Sequence, residues 1–265
     1  MGIPKISVVM SVYNGEEYLE KGVNSILYQT FSDFEFIICD DCSTDGTYNK
    51  LKKIASKDSR VILIHNETNC GLAFSLNKCI LMSKSNILAR QDADDESVLT
   101  RFEKQYDYVI KHPEYAIVGT SYYSVRDKEE TKVYPKENPL AKDLIWDGGF
   151  MHPSWMMRKD MLQKVGFYTA TKMTRRDQDY HLVMKLYGAG MIMHNMQELL
   201  YRYTNDIHTY NRTRNLYSVK GLMWIRWDGY RRNNFPCFVY IVCLKPLIKN
   251  ILPNFLMKKY YYRKK

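Results

Sequence analysis

The first 95 residues alternate short apolar runs with segments whose apolar positions recur at helical spacing. Ile6–Val12 is β-branched and apolar on both faces, the pattern of a buried parallel strand. Residues 16–27 follow, with Leu19, Val23, Ile26 and Leu27 on one helical stripe. Residues 34–39 predict a second strand, and Thr44 or Asp45 a cap for a helix reaching about Ser56. Residues 60–65 predict a third strand, Leu72–Met82 a third helix and Ile87–Arg90 a fourth strand. A helix over 102–110 and a strand over 115–120 come next. This alternating order predicts an α/β fold with a Rossmann-like, mostly parallel sheet and helices on both faces.

Polar residues collect where these strands end. Tyr13 and Asn14 follow the first, Asp40 and Asp41 the second, and Asp92, Asp94 and Asp95 the fourth. Ligands of open α/β sheets bind beyond the carboxyl ends of the strands, so one edge is expected to carry a ligand site. Three carboxylates within four residues repel one another unless a cation or solvent screens them. A divalent ion such as Mg²⁺ would relieve that repulsion, and a solvated acidic turn capping the next helix is the alternative.

Composition narrows the class. Of 265 residues, 45% are hydrophobic and 26% charged, which excludes a disordered or fibrous chain. Six cysteines, with Cys39 and Cys42 lacking a second ligand pair nearby, suggest neither a disulfide scaffold nor a zinc site. A reduced, cytoplasmic setting is expected. The opening residues lead straight into the first strand without a secretory signal pattern, and the most apolar late stretch, 235–257, is broken by Lys245, Pro246, Lys249 and Pro253. The net charge of +10 is unevenly placed: residues 201–265 hold 14 Lys and Arg against 2 Asp and Glu. The remaining 200 residues are slightly acidic. A basic tail of this kind seeks an anionic surface.

Four segments occur in one order: Ile6 to Asn14, Asp40 to Thr47, Asn69 to Ala73 and Ala89 to Asp95. Together they resemble the GT-A nucleotide-sugar domain of glycosyltransferase family 2, of the bacterial polysaccharide type. Phe150 to Ser154, Lys164 to Tyr168 and Arg176 to Tyr180 resemble that family's acceptor-side segments, so the resemblance covers roughly 5–210. It implies an enzyme that inverts the anomeric centre while moving a sugar from a nucleotide-diphosphate donor, a UDP-sugar, to a hydroxyl of a glycan or lipid-linked glycan. It also implies a nucleotide-sugar-binding half over 1–98, an acceptor half over 99–210 and a basic aromatic tail over 211–265.

The resemblance assigns residues as well. Ser11, Tyr13, Asn14, Asp41, Asn69, Gly71 and Asp92 would line the nucleotide pocket, with Asp41 accepting the base N3–H. Asp94, with Asp92 or Asp95, would hold Mg²⁺ or Mn²⁺. Asp179 would be the general base, with Asp177 in reserve or merely capping the helix that follows. Ser11 stands where proline is usual, Cys42 and Cys79 where glycine is common, and Gln178 where glutamate is usual. A catalytically silent nucleotide-sugar-binding module is the alternative that these departures support. His152, Arg176 and Trp146 are candidates for the acceptor side, each with a structural alternative: a hydrogen-bonded histidine, a solvated loop arginine, a core tryptophan. Arg90 is expected to pair with the acidic cluster.

In the tail, aromatic residues interleave with Arg231, Arg232, Lys258, Lys259 and a final Arg-Lys-Lys. Residues 238–257 read as an in-plane amphipathic segment, and the tail is expected to meet the cytoplasmic membrane surface. No nucleic-acid-binding module accompanies these charges, so nucleic acid is not expected as a partner.

Overall fold

A computed structural model describes residues 2–127, 129–145, 150–205 and 216–247. Chain order in the first half is β1 (Ile6–Val12), α1 (Leu19–Leu27), β2 (Phe34–Asp40), α2 (Thr47–Ala55), β3 (Val61–His65), α3 (Leu72–Met82) and β4 (Ile87–Arg90). The second half runs β5 (Glu96–Ser97), α4 (Arg101–Lys111), β6 (Tyr115–Arg126), β7 (Glu129–Val133), β8 (Met156–Arg158), α5 (Lys159–Lys164), α6 (Gln178–Gly188), β9 (Ile192–Thr204) and α7 (Leu216–Arg232). Short 3₁₀ helices span Ala141–Ile145, His152–Ser154, Lys172–Thr174 and Cys237–Leu244.

Among the described residues the strands form one sheet in the order β3-β2-β1-β4-β8-β6-β9-β5, with β7 on β6. The parallel expectation describes β3, β2, β1 and β4. Beyond β4 the sheet is mixed: β8 runs antiparallel to both β4 and β6, while β9 is parallel to β6. β6 extends past the expected 115–120, because β7 and β9 supply ladder partners for a polar stretch with no apolar period of its own. α1 starts at Leu19, three residues later than expected.

The two-faced apolar pattern of the central strands places the core. Ile6, Val8, Met10 and Val12 join Phe34, Phe36 and Ile38 on one face, under α1, α2 and α4. Val9, Ile37 and Cys39 point the other way, into a cluster built with α3, α5 and α6. All seven residues of β1 and of β2 are buried, so no residue of either strand is free to serve solvent. Functional side chains must therefore come from the strand ends.

Candidate functional site

The sheet register brings the strand ends together. Val12 lies beside Asp40, and Val9 beside Arg90. The chain then continues through paired backbone, with Asp41 N–H donating to Val12 O and Gln91 N–H to Val9 O. The polar groups after β1, β2 and β4 thus share one edge, as their sequence positions predict.

At the end of β2, Asp41 is almost wholly buried. Its Oδ1 accepts from Asn66 Nδ2 at 2.8 Å and Cys70 N–H at 2.9 Å, and its Oδ2 accepts from Gly71 N–H at 2.8 Å. A carboxylate offers about four acceptor sites, so one remains after these three bonds. Gly71 makes its contact with φ +88, a left-handed conformation that favours glycine. Asn69 Nδ2 reaches Asp41 O at 3.3 Å, and its Oδ1 accepts from Arg175 at 2.8 Å, tying this loop to the chain before α6. Asn14, also left-handed at φ 51, accepts from Thr44 N–H at 2.8 Å and so pins the loop ahead of α2. Asp45 Oδ1 takes the Thr47 N–H at 3.0 Å, but Gly46 occupies the N-cap of α2, so neither Thr44 nor Asp45 caps it as expected. The Tyr13 ring is half exposed at the end of β1, while Ser11 is buried within the strand.

The acidic loop after β4 is held from three sides. From below, Gln91 donates to Asp92 O and Asp95 O, each at 2.9 Å. Arg101, fully buried on α4, donates to Arg90 O at 3.0 Å and Ser97 Oγ at 2.8 Å. Burial without a carboxylate partner lowers its pKa to about 10. From β9, Thr204 N–H reaches Asp95 Oδ1 at 2.7 Å and Tyr201 Oη accepts from Asp92 N–H at 3.3 Å. From α1, Gly22 sits against the loop so closely that a Cβ would meet Ala93 O at 2.4 Å.

One oxygen each of Asp92, Asp94 and Asp95 falls within 4.8 Å of the others. Mg²⁺ at 2.0–2.1 Å would place opposite ligands about 4.2 Å apart, so the cluster is near ligating dimensions. Asp95 Oδ2 is buried without a hydrogen-bond partner. Burial, then the charges of Asp92 and Asp94, pushes the Asp95 carboxyl well above its usual range. A hard cation answers both features, and the residues fit one.

α6 brings a further carboxylate towards this loop. Asp179 lies in its first turn, where the N–H groups of Asp179 and Tyr180 favour its charged form. Burial outweighs them and raises its pKa, and the charges of Arg90 and Asp92 both reach it, the first lowering and the second raising. Arg90 is fully buried and pairs with Asp92 through Nη2, as expected. Its charge also reaches Tyr168 and His152. Residues 87 positions apart in sequence, Asp92 and Asp179, are therefore brought into one electrostatic neighbourhood around Arg90.

Asp177 does not cap α6 with its side chain; it adopts a left-handed backbone at φ 57, and no side-chain cap bond forms. Its side chain is exposed to solvent although neighbouring protein crowds it. That surrounding protein first, then the charge of Asp179, pushes its carboxyl up to about 6, an effect that solvent access tempers. Arg176 opposes the shift, so its charge faces Asp177. His152 is buried, with Nε2 2.7 Å from Tyr168 Oη and its ring edge-on to Trp155. Burial and then Arg90 drive its pKa well down, so it is a neutral, hydrogen-bonded residue. Trp146 lies outside the described residues.

Gln91, Arg101, Tyr201 and Thr204 do not stand out in the sequence, yet they fix the acidic loop. Arg101 and Gln105 share a helical stripe with Val109 at four-residue spacing, and Arg101 Nε donates to Gln105 Oε1 at 3.0 Å. A polar pair on an apolar stripe is the signal that would have marked them.

Comparisons with known proteins identify the family and the fold. EpsE of Bacillus subtilis (strain 168), named a glycosyltransferase, is 35% identical over 267 residues, covering 98% of this chain and 94% of its own. The O-antigen biosynthesis glycosyltransferase WbnJ of Escherichia coli is 32% identical over 206 residues, with 75% and 78% covered. Among solved structures, S. aureus TarS 1–349 in complex with UDP-GlcNAc superposes with a TM-score of 0.70 at 18% identity, over 86% of this chain and 70% of that one. The mannosyltransferase PcManGT from Pyrobaculum calidifontis, in complex with GDP-Man and Mn²⁺, gives 0.68 at 14% identity, over 94% and 75%. At those identities the structures speak to fold alone, the GT-A arrangement of a mixed sheet with helices on both sides. The family model described as Glycosyl transferase family 2 matches residues 7–166, so the strand-end carboxylates above sit in a chain that belongs to that family and is a glycosyltransferase.

Proposed function

We propose that this enzyme transfers a sugar from a UDP-sugar to a hydroxyl of a glycan or lipid-linked glycan, with inversion, in bacterial surface-polysaccharide synthesis. The observation that carries the reading is the convergence of the Asp92–Asp94–Asp95 cluster with Asp179 around the buried Arg90. One carboxylate group serves the leaving diphosphate and another the incoming hydroxyl, which is the equipment a direct displacement needs. The named functions of the relatives support the polysaccharide context, and the UDP-GlcNAc complex of TarS supports the donor class.

Asp94, with Asp92 and Asp95, would hold Mg²⁺ or Mn²⁺. When bound, such an ion neutralises the diphosphate and acts as a Lewis acid towards the leaving group. Asp41 has one acceptor site left for a base N3–H, and the half-exposed Tyr13 ring follows β1 at the same edge of the sheet. Asp179 takes the proton of the acceptor hydroxyl as that oxygen attacks the anomeric carbon. The bond from that carbon to the phosphate oxygen breaks on the opposite face, UDP departs with the electron pair, and the configuration inverts. A positioned base of this kind contributes about 10²–10⁴-fold. Asp179 is favoured over Asp177 because the charges of Arg90 and Asp92 reach it, whereas Asp177 faces Arg226 and Arg176.

The test is a calorimetric panel of nucleotides and UDP-sugars with and without Mn²⁺ or Mg²⁺, followed by donor turnover. UDP-selective, metal-dependent binding that is lost in Asp94→Ala supports the donor site. Silence across uridine nucleotides in folded protein removes it.

A further inference from the structure

The 3₁₀ helix Cys237–Leu244 contains no charged residue, and its sequence, CFVYIVCL, is apolar all round except for Tyr240. A 3₁₀ helix has three residues per turn, so positions three apart eclipse one another. Phe238, Ile241 and Leu244 consequently form one row, and they are 77%, 72% and 46% exposed. Val239, Val242 and Cys243 turn inward and join the core cluster that contains Tyr230 and the α6 residues Leu182, Val183 and Leu186. The helix is thus anchored on one side and offers a continuous apolar edge on the other. Soluble surfaces carry single exposed apolar residues routinely, whereas a contiguous row marks an interaction site.

Charge identifies the occupant. Residues 233–265 contain seven Lys and Arg and no Asp or Glu. Lys245 follows the row directly, and Arg231 and Arg232 are exposed at the end of α7, where both also pair with Asp228. Trp227, nearly half exposed on the same helix, carries Arg231 over its ring at 5.4 Å. A second copy placed edge to edge would bring the like charges of 233–265 against each other, and that segment holds no acidic residue to offset them. An anionic bilayer complements both parts, since apolar side chains enter the headgroup–acyl boundary while cations remain at phosphate level. No helix among the described residues is long and apolar enough to cross a membrane, so the contact is in-plane.

The edge is rigidly joined to the acceptor half. Gly221 of α7 packs on the 172–174 turn, where a Cβ would meet Met173 O at 2.2 Å. Asn233 Nδ2 donates to Met184 O of α6 at 3.0 Å, and His181 Nε2 lies 3.0 Å from Asp228 Oδ2. α6 carries Asp179 in its first turn, so the helix that bears the base and the apolar edge belong to one packed unit.

We propose that Phe238, Ile241 and Leu244 form a docking edge that inserts into an anionic lipid surface, with Lys245 and Arg231 beside it at the level of the lipid phosphates. The proposal deepens the lipid-linked-acceptor reading and rests on it for the purpose of docking, while the edge itself is argued from exposure and charge.

The test is flotation of the full chain with phosphatidylcholine vesicles, with and without phosphatidylglycerol, at low and raised salt. The expected result is binding that requires phosphatidylglycerol and weakens with salt. Phe238→Ser/Ile241→Ser is expected to weaken it by more than about tenfold, and Lys245→Gln by about fivefold. Calorimetric UDP binding without vesicles reads the donor site separately and is expected to be unchanged in these variants. Binding that is absent, indifferent to anionic lipid, or equal in Phe238→Ser/Ile241→Ser overturns the docking edge, even where UDP binding is intact. A concentration-dependent dimer in sedimentation that the same double variant abolishes, without vesicle binding, also overturns it. Vesicle binding as expected without UDP binding keeps the edge and removes the donor reading instead.

Discussion

Gly22→Ala separates the stability of the fold from the precision of the acidic loop. The added Cβ would lie 2.4 Å from Ala93 O, 3.0 Å from Ala93 C and 3.1 Å from Asp95 O. Ordinary contact begins at 3.4 Å, so α1 and the loop must part by about 1 Å. Overpacking of this kind costs about 1–3 kcal/mol, and replacing a mid-helix glycine by alanine returns about 1 kcal/mol. The net loss is therefore about 0–2 kcal/mol, a few degrees in Tm for a chain of this size. Function is expected to respond far more, because a shift of about 1 Å at a catalytic group can cost about 10²-fold. The loop moves as a unit with Asp94 and Asp95, so metal-dependent UDP affinity and turnover should fall together. The assay pairs a thermal melt with Mn²⁺ titration of UDP binding and initial-rate kinetics. Glu20→Ala, an exposed neighbour on α1 whose charge lies near Lys50 of α2, serves as the control. Wild-type kinetics and metal affinity in a folded Gly22→Ala protein would refute the claim that α1 positions the acidic loop.

Further outcomes are expected. Asp179→Asn lowers transfer by about 10²–10⁴-fold while calorimetric UDP affinity stays within about twofold; a loss of binding instead would make Asp179 a donor-site residue. Chelation of divalent ions and Asp94→Ala each abolish metal-dependent UDP binding, and Mn²⁺ restores the chelated wild type but not the variant. Since burial raises the pKa of Asp179, activity rises with pH as its carboxyl ionises, and the acid limb of the kcat profile lies above the ordinary aspartate range. The stability linkage has the opposite sign: the folded state holds that proton more tightly, so its effect favours folding at low pH and is lost as pH rises through the folded pKa. Asp179→Asn should accordingly raise Tm at neutral pH and match the wild type in acid. Asp228→Ala leaves His181 and Arg232 without their shared partner and is expected to cost about 1–3 kcal/mol, read by urea denaturation.

The alternation of apolar strands and helical stripes through residue 95 is a local property, and for that reason it was legible. β1, α3 and β4 occupy Ile6–Val12, Leu72–Met82 and Ile87–Arg90, as their periodicity predicts. Strand ends in such a sheet share an edge, so the placement of Tyr13, Asp41 and Asp92 followed from chain order. The mixed half of the sheet was not legible, because β6 and β9 pair across some eighty residues and their outer residues carry no apolar period. Nor was the support of the acidic loop. Arg101, Gln91 and Thr204 act only through contacts that folding creates, and Gly22 matters only because α1 lies on Ala93. The meeting of Asp92 and Asp179 around Arg90 could be expected from resemblance and not from spacing. Periodicity encodes which face of a segment seeks the core; it carries no distance between segments far apart in sequence, and electrostatics over a few ångströms depends on that distance alone.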